Sequence, residues 1–353
     1  MKQSFDVKGG PQIGRQNLPL LRAEMAKQGL DGFYIPHEDE YQNEYLPTAN
    51  ERLAWVSGFT GSFGSAFVFT DMAVMFLDGR YTIQGADQTD NTLFDRVAVP
   101  DPGPFGWLAD QNLKGKTIGY DPAVMTPNDV DTMCTSATRA GATLKAVTTN
   151  PIDAAWTSRP PQPTAIVYPH ALEYAGQAAE DKRAIVADTL NNDRVDAAVI
   201  TAPASLAWLF NIRGGDVACS PLPLGRAIIR NDGSADLFLD PAKVTPELRS
   251  HLGNQVTLHP YDDLESRLGD LKGQKVSLDP ALASAWFFQT LDGAGATIVR
   301  KPDPVMLPKA KKNAVELSGT AAAHRRDGAA LVKFLHWLDT DAQSGKVTEV
   351  TPL

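Results

Sequence analysis

The chain has 353 residues and only two cysteines, Cys134 and Cys219, far apart in sequence. Two such thiols make neither a disulfide framework nor a cysteine-rich zinc motif, and they fit a reducing compartment. Histidine is also scarce. The six are His37, His170, His251, His259, His324 and His336, and none stands in HxxxH or HExxH spacing. Basic residues are outnumbered, 33 Lys and Arg against 42 Asp and Glu, for a net charge of -9. That argues against nucleic acid as a general partner, because phosphate binding needs basic patches. Long apolar runs are lacking. The longest weakly polar stretch, Ala197 to Ile212, is interrupted by Pro203, Ser205 and Asn211 and falls short of a membrane span. The N-terminus, MKQSFDVKGG, has no apolar core for a signal peptide. These features predict a soluble cytoplasmic protein with neither a membrane nor a nucleic-acid partner. GxSxG is absent, and Gly58, Gly61 and Gly64 are not followed by GK[ST]. Those glycines lead into a strand, not a helix N-terminus, so turns and close packing are preferred to a phosphate loop.

What the chain does have is a repeat. Residues 52–84 read RLAWVSGFTGSFGSAFVFTDMAVMFLDGRYTIQ, and much of this returns later. Leu53-Ala54-Trp55 matches Leu206-Ala207-Trp208, and Phe76-Leu77-Asp78 matches Phe238-Leu239-Asp240. Asp31-Gly32-Phe33-Tyr34-Ile35 matches Asp196-Ala197-Ala198-Val199-Ile200. The offsets of 153, 162 and 165 residues are domain-sized, too long for a solenoid period of about 20–50 residues. Strand-like runs such as AFVFT, AVMFL and KTIGYD alternate with helical patterns such as PNDVDTMCTSATRAG, which indicates an α/β domain. The short connection at Asp71-Met72 makes a hairpin and therefore a mixed sheet. The expected fold is α/β, as two tandem domains with mixed sheets and the same strand order. Expected boundaries are 1–150 for the first domain, 151–170 for an extended proline-rich linker, 171–303 for the second domain and 304–353 for a helical tail.

The tail predicts one long helix from Lys309, with a bend near Gly319 or Gly328. Its apolar stripe includes Ala314, Leu317, Ala321, His324, Leu331, Phe334, Leu335 and Leu338. Such a stripe needs a partner surface. Either the helix packs back on the earlier domains, or its own domain lies outside this sequence.

Candidate chemistry is sparse. His37-Glu38-Asp39-Glu40 is dense enough to bind a cation, but adjacent side chains on one loop seldom converge. The surrounding segment, residues 37–50, is present in the first copy only; it is either a functional insertion or a solvated acidic loop. His324 and Asp327 lie one helical turn apart and read as a helix-face pair. Arg80 is the best single candidate for ligand contact, since it follows Asp78-Gly79 at a strand end, where α/β sheets bind ligands. A turn pair between Arg80 and Asp78 explains the same spacing.

PHEDEYQNEYLP, RLAWVSGFTGSFGSA and LDGRYTIQ resemble the N-terminal domain of Xaa-Pro aminopeptidases (aminopeptidase P, peptidase family M24). IDAAWTSRP and LAWLFNIRGGDVACSPLPLGRAII resemble that family's linker and middle domain. LPKAKKNAVELSGTAAAHRRDGAALVKFLHWLD and VTE resemble the opening of its catalytic domain. The resemblance covers almost the whole chain in order. It implies two creatinase-like domains followed by the first helix of a pita-bread domain. It implies removal of an N-terminal residue from peptides with proline in second position, using two divalent metals, usually manganese. The five metal ligands, two Asp, one His and two Glu, would lie beyond this chain, which is then expected to hold no catalytic metal pair. Of the peptide-contacting residues only the Arg of the DGR motif is present, as Arg80. The resemblance further implies a homodimer, with N-terminal domains that help to wall the active site, a role that suits residues 37–50. Three readings follow: an enzyme by family that is inactive as this stretch alone, a stand-alone non-catalytic peptide- or protein-binding module, and a creatinase or prolidase relative with another substrate.

Overall fold

A computed structural model describes residues 6–347. Fourteen strands form two six-stranded sheets and one two-stranded ribbon among the described residues. In chain order the first sheet uses β1 (Gly32–Pro36), β2 (Ser65–Phe69), β3 (Ala73–Leu77), β4 (Asp95–Ala98), β5 (Thr117–Tyr120) and β6 (Thr143–Ala146). The ribbon pairs β7 (Tyr168–Pro169) with β9 (Ile212–Arg213). The second sheet uses β8 (Ala197–Ile200), β10 (Arg226–Arg230), β11 (Ala235–Leu239), β12 (Val256–Pro260), β13 (Lys275–Leu278) and β14 (Thr297–Arg300).

The two sheets repeat one another. Their orders are β4-β3-β2-β1-β5-β6 and β12-β11-β10-β8-β13-β14. In both, the first strand pairs antiparallel with the hairpin and parallel with the fifth strand. The register repeats as well, since Ser65 faces Phe76 and Arg226 faces Phe238. Trp55 and Trp208 sit in the matching short helices, Arg52–Ser57 and Pro203–Leu209. Every residue of β2, β3 and β11 is buried, because helices cover both faces of each sheet and the strands are apolar runs instead of alternating ones. A separate apolar cluster lies on each face of each sheet.

Gly64 and Gly225 precede the matching hairpin strands for one reason. A Cβ on Gly64 would lie 3.0 Å from Leu77 Cδ2 and 3.1 Å from the Phe76 carbonyl oxygen. On Gly225 it would lie 2.6 Å from Leu239 Cδ2 and 2.8 Å from the Phe238 carbonyl oxygen. Gly58 is both a turn and a close approach, with φ at 85° and the Gly10 carbonyl 2.1 Å from where a Cβ would stand. The turn and packing roles predicted for Gly58 and Gly64 therefore hold.

Two expectations change. The proline-rich stretch is not extended throughout: Pro151–Ala155 is a helical turn, with Asn150 Oδ1 accepting from the Ile152 N–H at 2.9 Å. Proline at the first helical position forfeits no hydrogen bond, so the residue that suggested a linker starts a turn here. The terminal helix begins at Ala314, not Lys309, and runs unbroken through Gly319 and Gly328 to Asp339. Asn313 sets its start by a capping box: its side chain accepts from Val315 and Glu316, and Glu316 Oε2 accepts from the Asn313 N–H. The helix does not pack back. Its N-terminal end alone meets the second domain, with the Asn313 cap on the Ala175 carbonyl at 2.8 Å and the first turns beside Tyr174 and Gly176. Leu317, Leu331, Phe334 and Leu335 remain exposed.

Candidate functional site at the domain seam

β1, β3 and β5 all end on one edge of the first sheet, and the segments that follow them meet there. The strand order reverses between β1 and β5, and in α/β sheets the crevice at such a point is where ligands bind. Here the crevice is filled by residues 37–50 themselves. Asp39 is fully buried. Its Oδ1 accepts from the N–H groups of Tyr41 at 2.9 Å and Asn43 at 3.2 Å, and its Oδ2 accepts from Asn50 Nδ2 at 3.0 Å. Burial pushes the Asp39 carboxyl above its ordinary pKa, Glu40 adds to this, and the Asn50 and backbone hydrogen bonds oppose it.

Arg52 ties the same loop to the end of the domain. Its Nη2 donates to Glu40 Oε1, and its Nε donates to Asp153 Oδ1 at 2.7 Å. Burial works against the Arg52 charge, but Glu40 and Asp153 outweigh it and raise its pKa. Arg159 joins through Asp153 at 2.8 Å and through the Ala49 carbonyl at 2.7 Å.

The second domain closes on this loop with Arg226, the largest fully buried side chain among the described residues. Arg226 Nη1 donates to the carbonyls of Thr201 and Gly225, each at 3.1 Å. Its Nη2 donates across the seam to the Glu40 carbonyl. The guanidinium lies 3.5 Å from the Tyr41 ring centroid. Tyr41 is half-buried and hydrogen-bonded to Tyr261; desolvation first, then Tyr261, push its phenol well above the ordinary value. Two backbone bonds also cross the seam, Ala285 N–H to the Met125 carbonyl at 2.7 Å and Trp286 N–H to the Pro122 carbonyl at 2.9 Å. A cavity of about 310 Å³ remains between the domains, lined by Glu40, Tyr41, Asn50, Gln162 and Lys243 among others.

Residues 37–50 are thus not simply a solvated acidic loop, and no three His, Asp or Glu side chains among the described residues group to hold an ion. The side chains of His37 to Glu40 diverge: His37 Nε2 contacts the Glu44 carbonyl, Asp39 turns inward and Glu40 turns to Arg52. His324 and Asp327 lie exposed on the terminal helix with no hydrogen bond between them, so the predicted pair is not formed.

Arg80 stands apart from the buried network, on the same edge. It lies in a single turn, Gly79–Tyr81, with its side chain 64% exposed. Asp78 Oδ1 accepts from the Arg80 N–H at 2.9 Å, and Asp78 Oδ2 accepts from Arg80 Nη2 at 2.6 Å. Hydrogen bonding to Arg80 holds the Asp78 carboxyl below its usual range. The turn pair therefore exists, and it holds the guanidinium out in solvent. Beside it, the Tyr81 hydroxyl meets Ser62 Oγ at 2.8 Å, and Ser62 Oγ donates to Glu44 Oε1 at 3.4 Å. The glycine-rich stretch, the Asp78–Tyr81 turn and the acidic loop converge on one surface.

The creatinase/prolidase N-terminal domain pattern matches residues 18–152 and, in a second form, residues 158–316. The chain belongs to the creatinase/prolidase family. It carries that family's N-terminal domain twice. It is 35% identical over 339 residues to a probable Xaa-Pro aminopeptidase P of Coccidioides posadasii, covering 92% of this chain and 52% of the relative. It is 32% identical over 344 residues to a probable Xaa-Pro aminopeptidase P of Aspergillus niger, covering 94% and 56%. The crystal structure of an X-prolyl aminopeptidase from Caenorhabditis elegans superposes with a TM-score of 0.86 at 26% identity, over 94% of this chain and 57% of that one. That enzyme is described as cytosolic, with a di-nuclear active site. The resemblance read from the motifs is thereby borne out, and the chain spans about half the length of the curated relatives it matches. No helix among the described residues is long and apolar enough to cross a membrane.

Sequence reasoning about this creatinase/prolidase pair missed Arg226. One signal was available. Arg226 takes the register position that Ser65 takes in the first copy, an arginine among apolar neighbours where the repeat has a serine. The Asp39–Asn50 bond left no comparable trace.

Proposed function

We propose that this chain is the two-domain N-terminal part of a metal-dependent Xaa-Pro aminopeptidase, acting on peptides with proline in second position. The observation that carries the reading is the collinear superposition of 94% of the chain on the X-prolyl aminopeptidase of Caenorhabditis elegans. Such an enzyme would draw on two divalent metals, manganese in the first instance, for Lewis-acid and water-activating chemistry. The residues described here do not fit that role: no three His, Cys, Asp or Glu side chains among them group to hold an ion. On this reading the metal pair lies outside these residues, and this chain supplies structure. The seam between its domains sets the shape of a wall, and the exposed stripe of the terminal helix is a surface for the domain that follows. A cytosolic homodimer is part of the same proposal.

Arg80 is the residue of this chain proposed to reach the peptide. Its guanidinium is planar, exposed and aimed by Asp78, a geometry suited to a carboxylate or to backbone carbonyls. The experiment is to assay the purified 353-residue chain, freed of host peptidases, with excess manganese and a Xaa-Pro peptide. No proline-dependent cleavage is expected. Cleavage together with stoichiometric tight binding of two metals would overturn the assignment. Sedimentation of the same sample tests the dimer.

A further inference from the structure

The second domain and the first turns of the terminal helix enclose a groove of about 750 Å³. Its walls bring together His170, Lys182, Arg213 and Lys312. Lys182 is only 1% exposed. Its ammonium donates to Asn211 Oδ1 at 2.6 Å and to the Trp208 carbonyl at 3.2 Å, and it sits 4.3 Å from the Trp208 ring centroid. Arg213 spends one guanidinium nitrogen on the carbonyls of Ala207 and Ile212, at 3.3 and 2.9 Å. Lys312 rests on the Lys309 carbonyl at 2.7 Å. All these acceptors are neutral. Among the described residues none of the three cations forms an ion pair with a carboxylate. Two acids reach the groove, Glu173 and Glu316, and Glu316 Oε2 is already engaged by the Asn313 N–H at 2.9 Å. The N-terminus of the 26-residue helix adds its positive end to the same wall.

Three cations against two carboxylates, neither of them ion-paired to a cation of the groove, leave an excess of positive charge in a cleft with apolar walls, and such a cleft attracts an anion. The titration of the lining groups is set first by burial and then by the neighbouring charges. Burial lowers the Lys182 pKa to about 8; Glu316 opposes this, and Arg213 and Lys312 add to it. His170 is lowered first by burial, then by Arg213 and Lys182.

We propose that this groove is a binding site for a small anionic ligand, whose carboxylate or phosphate group is received by Arg213 and Lys312 above the fixed charge of Lys182. Arg213 offers the planar fork and Lys312 a mobile second donor. Trp208 and Tyr174 line the groove and give the body of the ligand an aromatic wall. The proposal needs nothing from the aminopeptidase reading and stands or falls apart from it.

The test is isothermal titration of the 353-residue chain with inorganic phosphate in one arm and citrate in the other, at pH 7 and constant ionic strength. Saturable one-site binding is expected, and the arm that binds more tightly identifies the group. Arg213→Gln should weaken it at least tenfold, and Lys312→Gln several-fold. Arg139→Gln, on the exposed face of the first domain, should change it less than twofold. If Arg213→Gln fails to fold, the exposed Lys312→Gln carries the same comparison. No saturable heat with either anion overturns the proposal, as does binding that both groove variants leave unchanged.

Discussion

Replacing Arg226 by methionine should release the acidic loop from the second domain. The variant keeps the aliphatic stem and removes the guanidinium. Three carbonyls, those of Glu40, Thr201 and Gly225, then lose a charged donor, and Tyr41 loses its cation. Each hydrogen bond to a charged group contributes roughly 1.5–3 kcal/mol, and a desolvated cation–π contact adds about 2 kcal/mol. Opposing this, a buried charge costs several kcal/mol of desolvation, which methionine avoids. That cost is not fully offset in the native protein, because Arg226 Nε has no acceptor. The net loss should be about 2–4 kcal/mol. It should be local first, since of the Arg226 contacts those to Glu40 and Tyr41 cross the seam, and the backbone bonds of Ala285 and Trp286 still hold it elsewhere. Hydrogen exchange at the Tyr41 and Asn43 amides, both bonded to Asp39, reads this directly. At about 1.4 kcal/mol per factor of ten, exchange there should accelerate roughly 30-fold to 700-fold, and amides in β2 and β3 should change far less. Arg226→Lys should show much of the same effect, because one ammonium cannot span carbonyls on both sides of the seam. Unchanged exchange in residues 37–50, with or without a global loss of stability, would refute the argument that Arg226 holds the loop.

Four further outcomes follow. Arg80→Ala should leave the unfolding midpoint unchanged and weaken peptide binding in the complete enzyme; the reverse pattern would make Arg80 and Asp78 a turn pair and nothing more. Lys182 has a folded-state pKa of about 8, below its ordinary value of 10.5. The folded state therefore holds fewer protons than the unfolded state between those values, so wild type should gain stability relative to Lys182→Met as pH rises from about 8 towards 10.5; a flat difference in urea melts would contradict this. Gly225→Ala should cost about 1–3 kcal/mol and more than Gly64→Ala, because its Cβ would meet Leu239 and the Phe238 carbonyl more closely; equal midpoints would count against the packing account. Asn313→Ala should lower the stability of the terminal helix by about 1 kcal/mol and reduce helical circular dichroism on warming; an unchanged melt would mean that the capping box does not hold the helix start.

The duplicated architecture was legible in the sequence because its determinants are local. Apolar runs between turn residues define strands, helical spacing defines helices, and the repeated LAW and FLD segments place both in the same order twice. Identical local patterns produced identical sheets. The helix boundaries were less legible where a side chain decided them: Lys309 belongs to a separate short helix, Met306–Ala310, the Asn313–Glu316 capping box starts the long helix anew, and Asn150 turns Pro151 into a helix start. Arg80 could be singled out because a strand end is readable, but the Asp78 pairing that orients it was one of two open alternatives until the turn was seen. Arg226, Asp39 and Lys182 are different. In the sequence they are an arginine in a strand, one acid among several and a lysine in a helical segment. Only the tertiary structure brings Arg226 against Tyr41 and the Glu40 carbonyl, turns Asp39 inward to Asn50, and sets Lys182 over Trp208 beside Arg213 and Lys312. Burial and charge–charge energies depend on distance in space and on exclusion of water, and a linear pattern encodes neither.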